Sequence, residues 1–180
     1  MKKLKNEELN RLEIEDFKSS EKTPVIFVLD NIRSMNNVGS VFRTADAFRI
    51  NSIFLCGITA KPPHREIHKT ALGSTESVDW KYFENTLDAI DHLRHIGYQT
   101  IAIEQADKST SLENFNPSTE KRYAFIFGNE VFGVEDEVLT KCSDVLEIPQ
   151  FGTKHSLNIS VSVGVVAWHY IMNTLRVKEA

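Results

Sequence analysis

The sequence predicts a single α/β domain built on a parallel sheet, and three observations carry that expectation. Four uninterrupted apolar runs have strand length: Val25 to Asp30, Ser52 to Cys56, Thr100 to Ile103 and Tyr123 to Phe127. Continuous rather than alternating apolarity is what strands buried on both faces show. Helical periodicity separates the runs, and strands that alternate with helices give parallel sheets. The length, 180 residues, suits one domain with a substantial core of its own.

Taken in order, residues 1–22 read as an N-terminal helical arm ahead of one domain over 23–180. Met1 to Ser20 is charged, with Leu4, Leu9, Leu12 and Phe17 spaced as one modest apolar stripe, so the arm is expected to pack on the domain or on a partner. Thr23-Pro24 stops it before the first strand. After that strand, Asn36 or Asn37 is expected to cap a helix whose buried face is Val38, Val41, Phe42, Ala45 and Phe48. Leu87, Ile90, Leu93, Arg94 and Ile96 mark another helix, and Gly97 ends it. A further helix follows from Glu135. Ile148-Pro149 closes a last strand, beyond which Ile159 to Val163 alternates as a strand would. There is no internal repeat and no low-complexity linker.

Composition excludes several classes. A formal net charge of −4 argues against a protein that coats nucleic acid indiscriminately, because phosphate binding works through clustered Lys and Arg. One local basic island exists, Lys61, Arg65 and Lys69 with His64 and His68 between them and Glu66 opposing; it reads either as an RNA-facing patch or as an ordinary solvated loop. Cys56 and Cys142 lack metal-ligand spacing and suit a reduced interior. No metal site is expected. With no signal-like run and no segment reaching about 18 apolar residues, the protein is expected to be cytoplasmic, without membrane association.

In open parallel sheets, ligands bind beyond the carboxyl ends of the strands, which singles out three stretches. The first runs from Asn31 through the helix of Asn37, Gly39 and Arg43. At about 100° per residue Arg43 projects away from the apolar stripe, beside small residues. Its planar fork of donors suits a phosphate or a developing oxyanion. An i,i+3 ion pair with Asp46 explains it equally well. The second stretch, Phe127 to Val134, places Glu130 at a strand end beside Gly128, which would let a ligand approach the main chain. It carries neither a dinucleotide-binding glycine fingerprint nor a Walker sequence. The third, Ile148 to Asn158, joins a strand to a long apolar segment through a turn holding Lys154, His155, Ser156 and Asn158. Capping of the following element is the plain explanation for Ser156 and Asn158, and a ligand-holding loop is the other.

Together these stretches resemble a known family. Asn37, Gly39 and Arg43-Thr44-Ala45-Asp46-Ala47, then Phe127-Gly128-Asn129-Glu130 with Gly133, then Ile148-Pro149 with Ser156-Leu157-Asn158-Ile159-Ser160-Val161 resemble the three motifs of the SpoU (TrmH-like) RNA 2′-O-ribose methyltransferases of the SPOUT superfamily. The run Ala71 to Val78 resembles a Gly-containing segment that many members carry between the first two motifs. The resemblance spans about Pro24 to Tyr170. It implies a parallel sheet flanked by helices with a C-terminal deep trefoil knot, a topology that general folding rules would have pruned.

It also implies S-adenosyl-L-methionine as cofactor, tRNA or rRNA as substrate, and a homodimer formed through the Ile159 to Leu175 segment. That segment is implied to be helical, with Ser160, Gly164 and Ala167 as a stripe for close approach by another element. Carried over by position, Arg43 is catalytic with Asn37, Glu130, Ser156 and Asn158 around it. Gly128, Ile148, Leu157, Ser156 and Glu104 hold the cofactor. Lys61, Arg65, Lys69 and Lys154 form the expected RNA face. Phe132 and Gln150-Phe151 are bulkier or more polar than many members carry. A non-catalytic knotted module that binds RNA or senses the cofactor is the alternative reading.

Overall fold

The computed structural model describes residues 1–178, apart from the side chains of residues 6–7 and 175–178. The four predicted runs are strands β1 (Thr23–Asp30), β2 (Ile50–Cys56), β4 (Tyr98–Ile103) and β6 (Arg122–Phe127). The strand expected to close near Ile148 is β7 (Asp144–Glu147). Two strands lacked an apolar run: β3 (Trp80–Phe83), at one edge and partly exposed, and β5 (Thr110–Ser111), at the other. All pair in parallel in the order β3-β2-β1-β6-β4-β7-β5.

Alternation along each strand sends side chains to two apolar layers. Val25, Phe27 and Leu29 of β1 face α2 (Met35–Ala47), α3 (Arg65–Ala71) and α7 (Ile159–Lys178), whereas Ile26 and Val28 face α5 (Thr86–His95) and α6 (Asp136–Lys141). Phe27, Val28, Leu29, Phe125 and Ile126 have no more than 0% exposure. That is why these strands read as continuous apolar runs.

The strand order is not the chain order, and this positions everything that follows. After β1, β2 and β3 step outward, β4 crosses to the far side, and β6 later fills the place between β1 and β4. The next strand, β7, inserts between β4 and β5, both of which precede it in the chain. The carboxyl ends of β1, β6, β4 and β7 are thereby neighbours, although they come from four distant parts of the sequence.

Several local expectations are corrected. The arm is not one long helix: a 3-10 turn spans Asn6–Leu9 and α1 spans only Ile14–Ser19. Phe17 alone of the expected stripe is buried, while Leu4, Leu9 and Leu12 stay exposed, because nothing in the domain covers them. Ser34, not Asn36 or Asn37, caps α2, its Oγ accepting from Asn37 N at 3.3 Å. The expected buried face of α2 holds for Val38, Val41, Phe42 and Ala45, with Phe48 half-buried. Ile159 to Val163 is helical despite its alternation, since α7 is apolar around much of its circumference and the local period carries little information. Ala167 is buried, but a side chain at Gly164 would meet nothing within 4 Å, so the expected close approach at that position is absent within this chain.

Close approach is found instead on α2. A Cβ at Gly39 would lie 2.1 Å from Thr70 Oγ1 and 2.3 Å from the Ile67 carbonyl oxygen. Thr70 Oγ1 donates to the Asn36 carbonyl at 2.9 Å, locking α3 onto α2 at that spot. Gly39→Ala is therefore expected to force the two helices apart and to destabilise the fold by about 1–3 kcal/mol. Urea denaturation should show a lower midpoint with an unchanged slope; an unchanged midpoint would show that α3 yields freely.

Candidate active-site cleft

At the carboxyl end of β1 the chain turns through Asn31, whose φ of 55° is left-handed. The backbone amides that precede and open α2 would lack partners there, as first-turn amides do. Glu130, from the loop after the neighbouring strand β6, supplies them. Its carboxylate accepts from Arg33 N at 3.0 Å, Ser34 N at 3.0 Å and Asn37 Nδ2 at 3.0 Å. Burial alone would raise the pKa of this group; the bonds from Arg33, the loop backbone, Ser34 and Asn37 outweigh it and hold the carboxyl below its ordinary value.

The third loop joins at the same point. Asn158 Nδ2 donates to Asn37 Oδ1 at 3.2 Å, and Asn158 Oδ1 caps α7 by accepting from Ser160 N at 2.9 Å and Ser160 Oγ at 2.6 Å. Asn158 thus meets the capping expectation, and it is also joined to Glu130 through Asn37.

Asn129 organises the second loop. Its side chain donates to the Asn31 carbonyl at 2.6 Å and accepts from Val131 N at 2.9 Å and Phe132 N at 3.2 Å. Its backbone exchanges two 2.9 Å bonds with Gly133. A Cβ at Gly128 would fall 2.1 Å from the Gly133 carbonyl carbon, so only glycine lets the turn fold back on itself. Glu104, one residue past β4, accepts from Val134 N at 3.0 Å and Gln105 N at 2.9 Å, and Gln105 Nε2 donates to the His155 carbonyl at 3.0 Å. Every loop above the switch in strand order is tied to another.

Between these loops lies a cleft of about 620 Å³, a size suited to a small-molecule ligand. Its apolar part comes from Ile103, Phe127, Leu139, Ile148 and Leu157. The five residues expected at the cofactor, Glu104, Gly128, Ile148, Ser156 and Leu157, all line it, as do Glu130 and Asn158. Asn37 bonds to both of those carboxylate and amide groups from just outside. Arg43 does not come to this cleft. It is exposed on the outer face of α2, with no hydrogen bond or ion pair among the described residues, and the alternative partner Asp46 instead accepts from Ser77 Oγ at 2.5 Å.

The expected RNA-facing cations also lie outside the cleft lining. Lys61 Nζ sits 3.9 Å over the Tyr82 ring, Lys69 pairs with Glu66 at 2.7 Å, and Arg65 is exposed. Lys154 is exposed in the 148–158 loop. Sequence reasoning gave no role to Asn31, Asn129 or Gln105; an Asn directly after an apolar run and a glycine was the available signal for Asn129. Among the described residues no cluster of three or more His, Cys, Asp or Glu could hold a metal ion. No described helix is long and apolar enough to cross a membrane. Burial pushes the thiols of Cys56 and Cys142 up to about 12, which leaves them inert.

Comparison with known proteins places this arrangement. Residues 24–168 match the model of the SpoU rRNA methylase family. A tRNA (guanosine(18)-2′-O)-methyltransferase of Borreliella burgdorferi is 31% identical over 81% of this chain and 65% of its own length. A 23S rRNA (guanosine-2′-O-)-methyltransferase of Neisseria meningitidis is 27% identical over 87% of this chain and 62% of its own. The chain therefore spans less than two thirds of these relatives. The crystal structure of an AdoMet-bound rRNA methyltransferase from Sinorhizobium meliloti superposes with a TM-score of 0.76 at 29% identity, over 83% of this chain and 56% of that one.

Replacing Glu130 with Gln keeps the shape but turns two acceptor oxygens into one and sets a donor NH2 against either Arg33 N or the Ser34 N and Asn37 Nδ2 pair. Because the folded-state pKa is depressed, the carboxylate's contribution is fully present above the ordinary Glu value of about 4.3 and is lost as pH falls through the depressed one. Thermal midpoints of Glu130→Gln and the parent should thus differ at neutral pH and converge in acid. A gap that persisted undiminished as pH fell through the acid range, below the ordinary Glu value, would contradict this linkage.

Proposed function

Because the chain belongs to the SpoU rRNA methylase family, we propose that it transfers a methyl group from S-adenosyl-L-methionine to a ribose 2′-hydroxyl of tRNA or rRNA. The observation that carries this reading is the cleft of about 620 Å³ lined by residues of the second and third motifs, to which Asn37 of the first is hydrogen-bonded through Glu130 and Asn158. The cleft fits the cofactor: its apolar lining suits an adenine, and the Asp136 carboxylate on its wall suits a ligand bearing a sulfonium and an amine. Gly128, Ile148, Ser156 and Leu157 would hold it, largely through main chain. When bound, such a cofactor supplies an electrophilic methyl group, taken by the ribose oxygen in an in-line displacement.

The chain's own residues have the remaining tasks. Glu130 and Asn37 fix the geometry of the first loop, and Asn158 and Ser156 present the third, so that the sugar oxygen is positioned. A hydroxyl is a poor nucleophile until its proton leaves, and a guanidinium with a pKa above about 12 is a poor base. Arg43 instead grips the phosphate beside the target ribose and stabilises the forming alkoxide, with the proton passing to that phosphate or to water. Loss of one such donor typically costs about 2.7–4 kcal/mol of barrier stabilisation.

Arg43 points away from the cleft of its own chain, which supports a homodimer in which it reaches the partner's cleft. The apolar stripe Val161, Val165 and Trp168, exposed by 50%, 37% and 57%, lies on α7, which packs against the helix carrying Arg43. A second copy covering that stripe would bury it, and the same contact carries Arg43 across. The closing 148–158 segment is taken to thread the knot that the family implies, and the setting is taken to be cytoplasmic.

Incubation with labelled S-adenosyl-L-methionine and total RNA should yield alkali-resistant linkages, the signature of 2′-O-methylation; none would overturn the assignment. Arg43→Lys should keep the charge yet lose most of the rate through lost fork geometry. Mixing Arg43→Lys with Asn158→Ala should restore activity to about a quarter of the parent, since half of randomly assorted dimers are mixed and each holds one intact site. No recovery would mean that Arg43 acts within its own chain or not at all.

A further inference from the structure

We propose that Phe132 and Phe151 stack on unpaired bases of the RNA, so that the nucleotide presented to the cleft lies in a single-stranded stretch or loop and not within a duplex. The proposal rests on the methyltransferase reading above and names the substrate class and the residues that select it.

Phe132 and Phe151 are 81% and 97% exposed, more than any other large apolar residue among the described ones except Met1. Folding gives no reason for this, since each ring forgoes the burial that aromatic side chains obtain elsewhere in the core. Nor is loose backbone the cause at Phe132. Its N–H donates to Asn129 Oδ1, the Asn129 and Gly133 backbones exchange two hydrogen bonds, and Val134 N is held by Glu104. The turn presents the ring to solvent from a fixed base. Phe151 lies in the 148–158 segment, anchored by β7 before it and by the bond from Gln105 Nε2 to the His155 carbonyl after it.

Position separates RNA from the other candidates. Phe132 lines the cleft, but Phe151 does not, although Gln150 before it and His155 after it do. A ligand that only fills the cleft therefore leaves Phe151 in water, whereas a polymer entering the cleft passes it. The flanking side chains match a polyanion: Lys154 is exposed in the same segment, and Arg33 is exposed in the loop whose backbone grips Glu130. Aromatic faces interleaved with cations make the platform on which single strands bind, because every base offers a face and every linkage a charge. An A-form duplex hides those faces and shows the protein mainly sugar and phosphate.

The test uses the full chain and two oligoribonucleotide probes carrying 2-aminopurine, one with it in an unpaired loop and one with it locked in a duplex. The loop probe should show the fluorescence change of stacking and the duplex probe should not. Phe132→Ala and Phe151→Ala should each weaken loop-probe binding by about 5- to 100-fold, Phe151→Trp should keep it, and Phe151→Ala should leave cofactor affinity, read by calorimetry, unchanged. Denaturation midpoints of these surface variants should match the parent. Unchanged loop-probe affinity in the double variant would overturn the proposal. So would an equal loss for the duplex probe, or a sedimentation shift showing that the rings cover a second copy of the chain. Because stacking is read without turnover, a parent protein that failed to methylate RNA would sink the family-based reading and not this one; normal methylation with unaltered probe binding would do the reverse.

Discussion

The arrangement depends on one carboxylate. Glu130 accepts from two backbone amides and one side-chain amide of the first loop, and through Asn37 it is joined to Asn158 in the third. Hydrogen bonds to a charged group are roughly twice as strong as neutral ones. The two amides stand where a helix start leaves donors without partners. The cluster is therefore favoured by the needs of the backbone itself, and the placing of the three loops follows from satisfying them.

That junction exists because of the sheet's order. With β6 between β1 and β4, and β7 between β4 and β5, the loops after β1, β6, β4 and β7 rise side by side from one edge. Had the strands followed chain order, Glu130 and Asn37 would have ended far apart. Ligands gather where strand order reverses because only there do loops diverge and leave a crevice. Here that crevice is partly closed again by Glu104, Gln105 and Asn129, which stitch its walls. Rigid walls suit the proposed methyl transfer, which would need a nucleophile and an electrophile held within a fraction of an ångström.

What the sequence disclosed, and what it hid, follows from the range of each signal. Buried parallel strands are legible because both faces are apolar, so β1, β2, β4 and β6 stood out, while the short edge strands β3 and β5 left no apolar run. The buried face of α2 was legible for the same reason. Its cap was misread, since Ser34, Asn36 and Asn37 are all competent caps and the choice is made by Glu130, about a hundred residues away in sequence. The α7 segment alternates locally, and only the motif resemblance gave its helical state. The cofactor positions came from the same resemblance and do line the cleft. Arg43 was placed by helical geometry on the correct face of α2, but periodicity says nothing of what that face meets, and within one chain it meets solvent.

For the RNA-methylating function proposed above, a protein of net charge −4 must keep its acidic groups from repelling the phosphates. Of the three acidic side chains that line the cleft, Glu130, Glu104 and Asp136, the first two show how. Glu130 spends its charge on Arg33 N, Ser34 N and Asn37, and Glu104 spends its own on Val134 N and Gln105 N. Amide dipoles aimed at a carboxylate offset its field at the distances where a strand would approach. Arg33 and Lys154 stand exposed beside them, and Lys61 lies over an aromatic ring without an acidic partner among the described residues. The potential met at the mouth of the cleft is thus less negative than the composition suggests. Affinity then need not come from a broad basic surface, whose attraction any RNA would feel. It is left to contacts that only an unstacked base and a correctly placed phosphate can make, and discrimination between RNAs is gained by the same economy of charge.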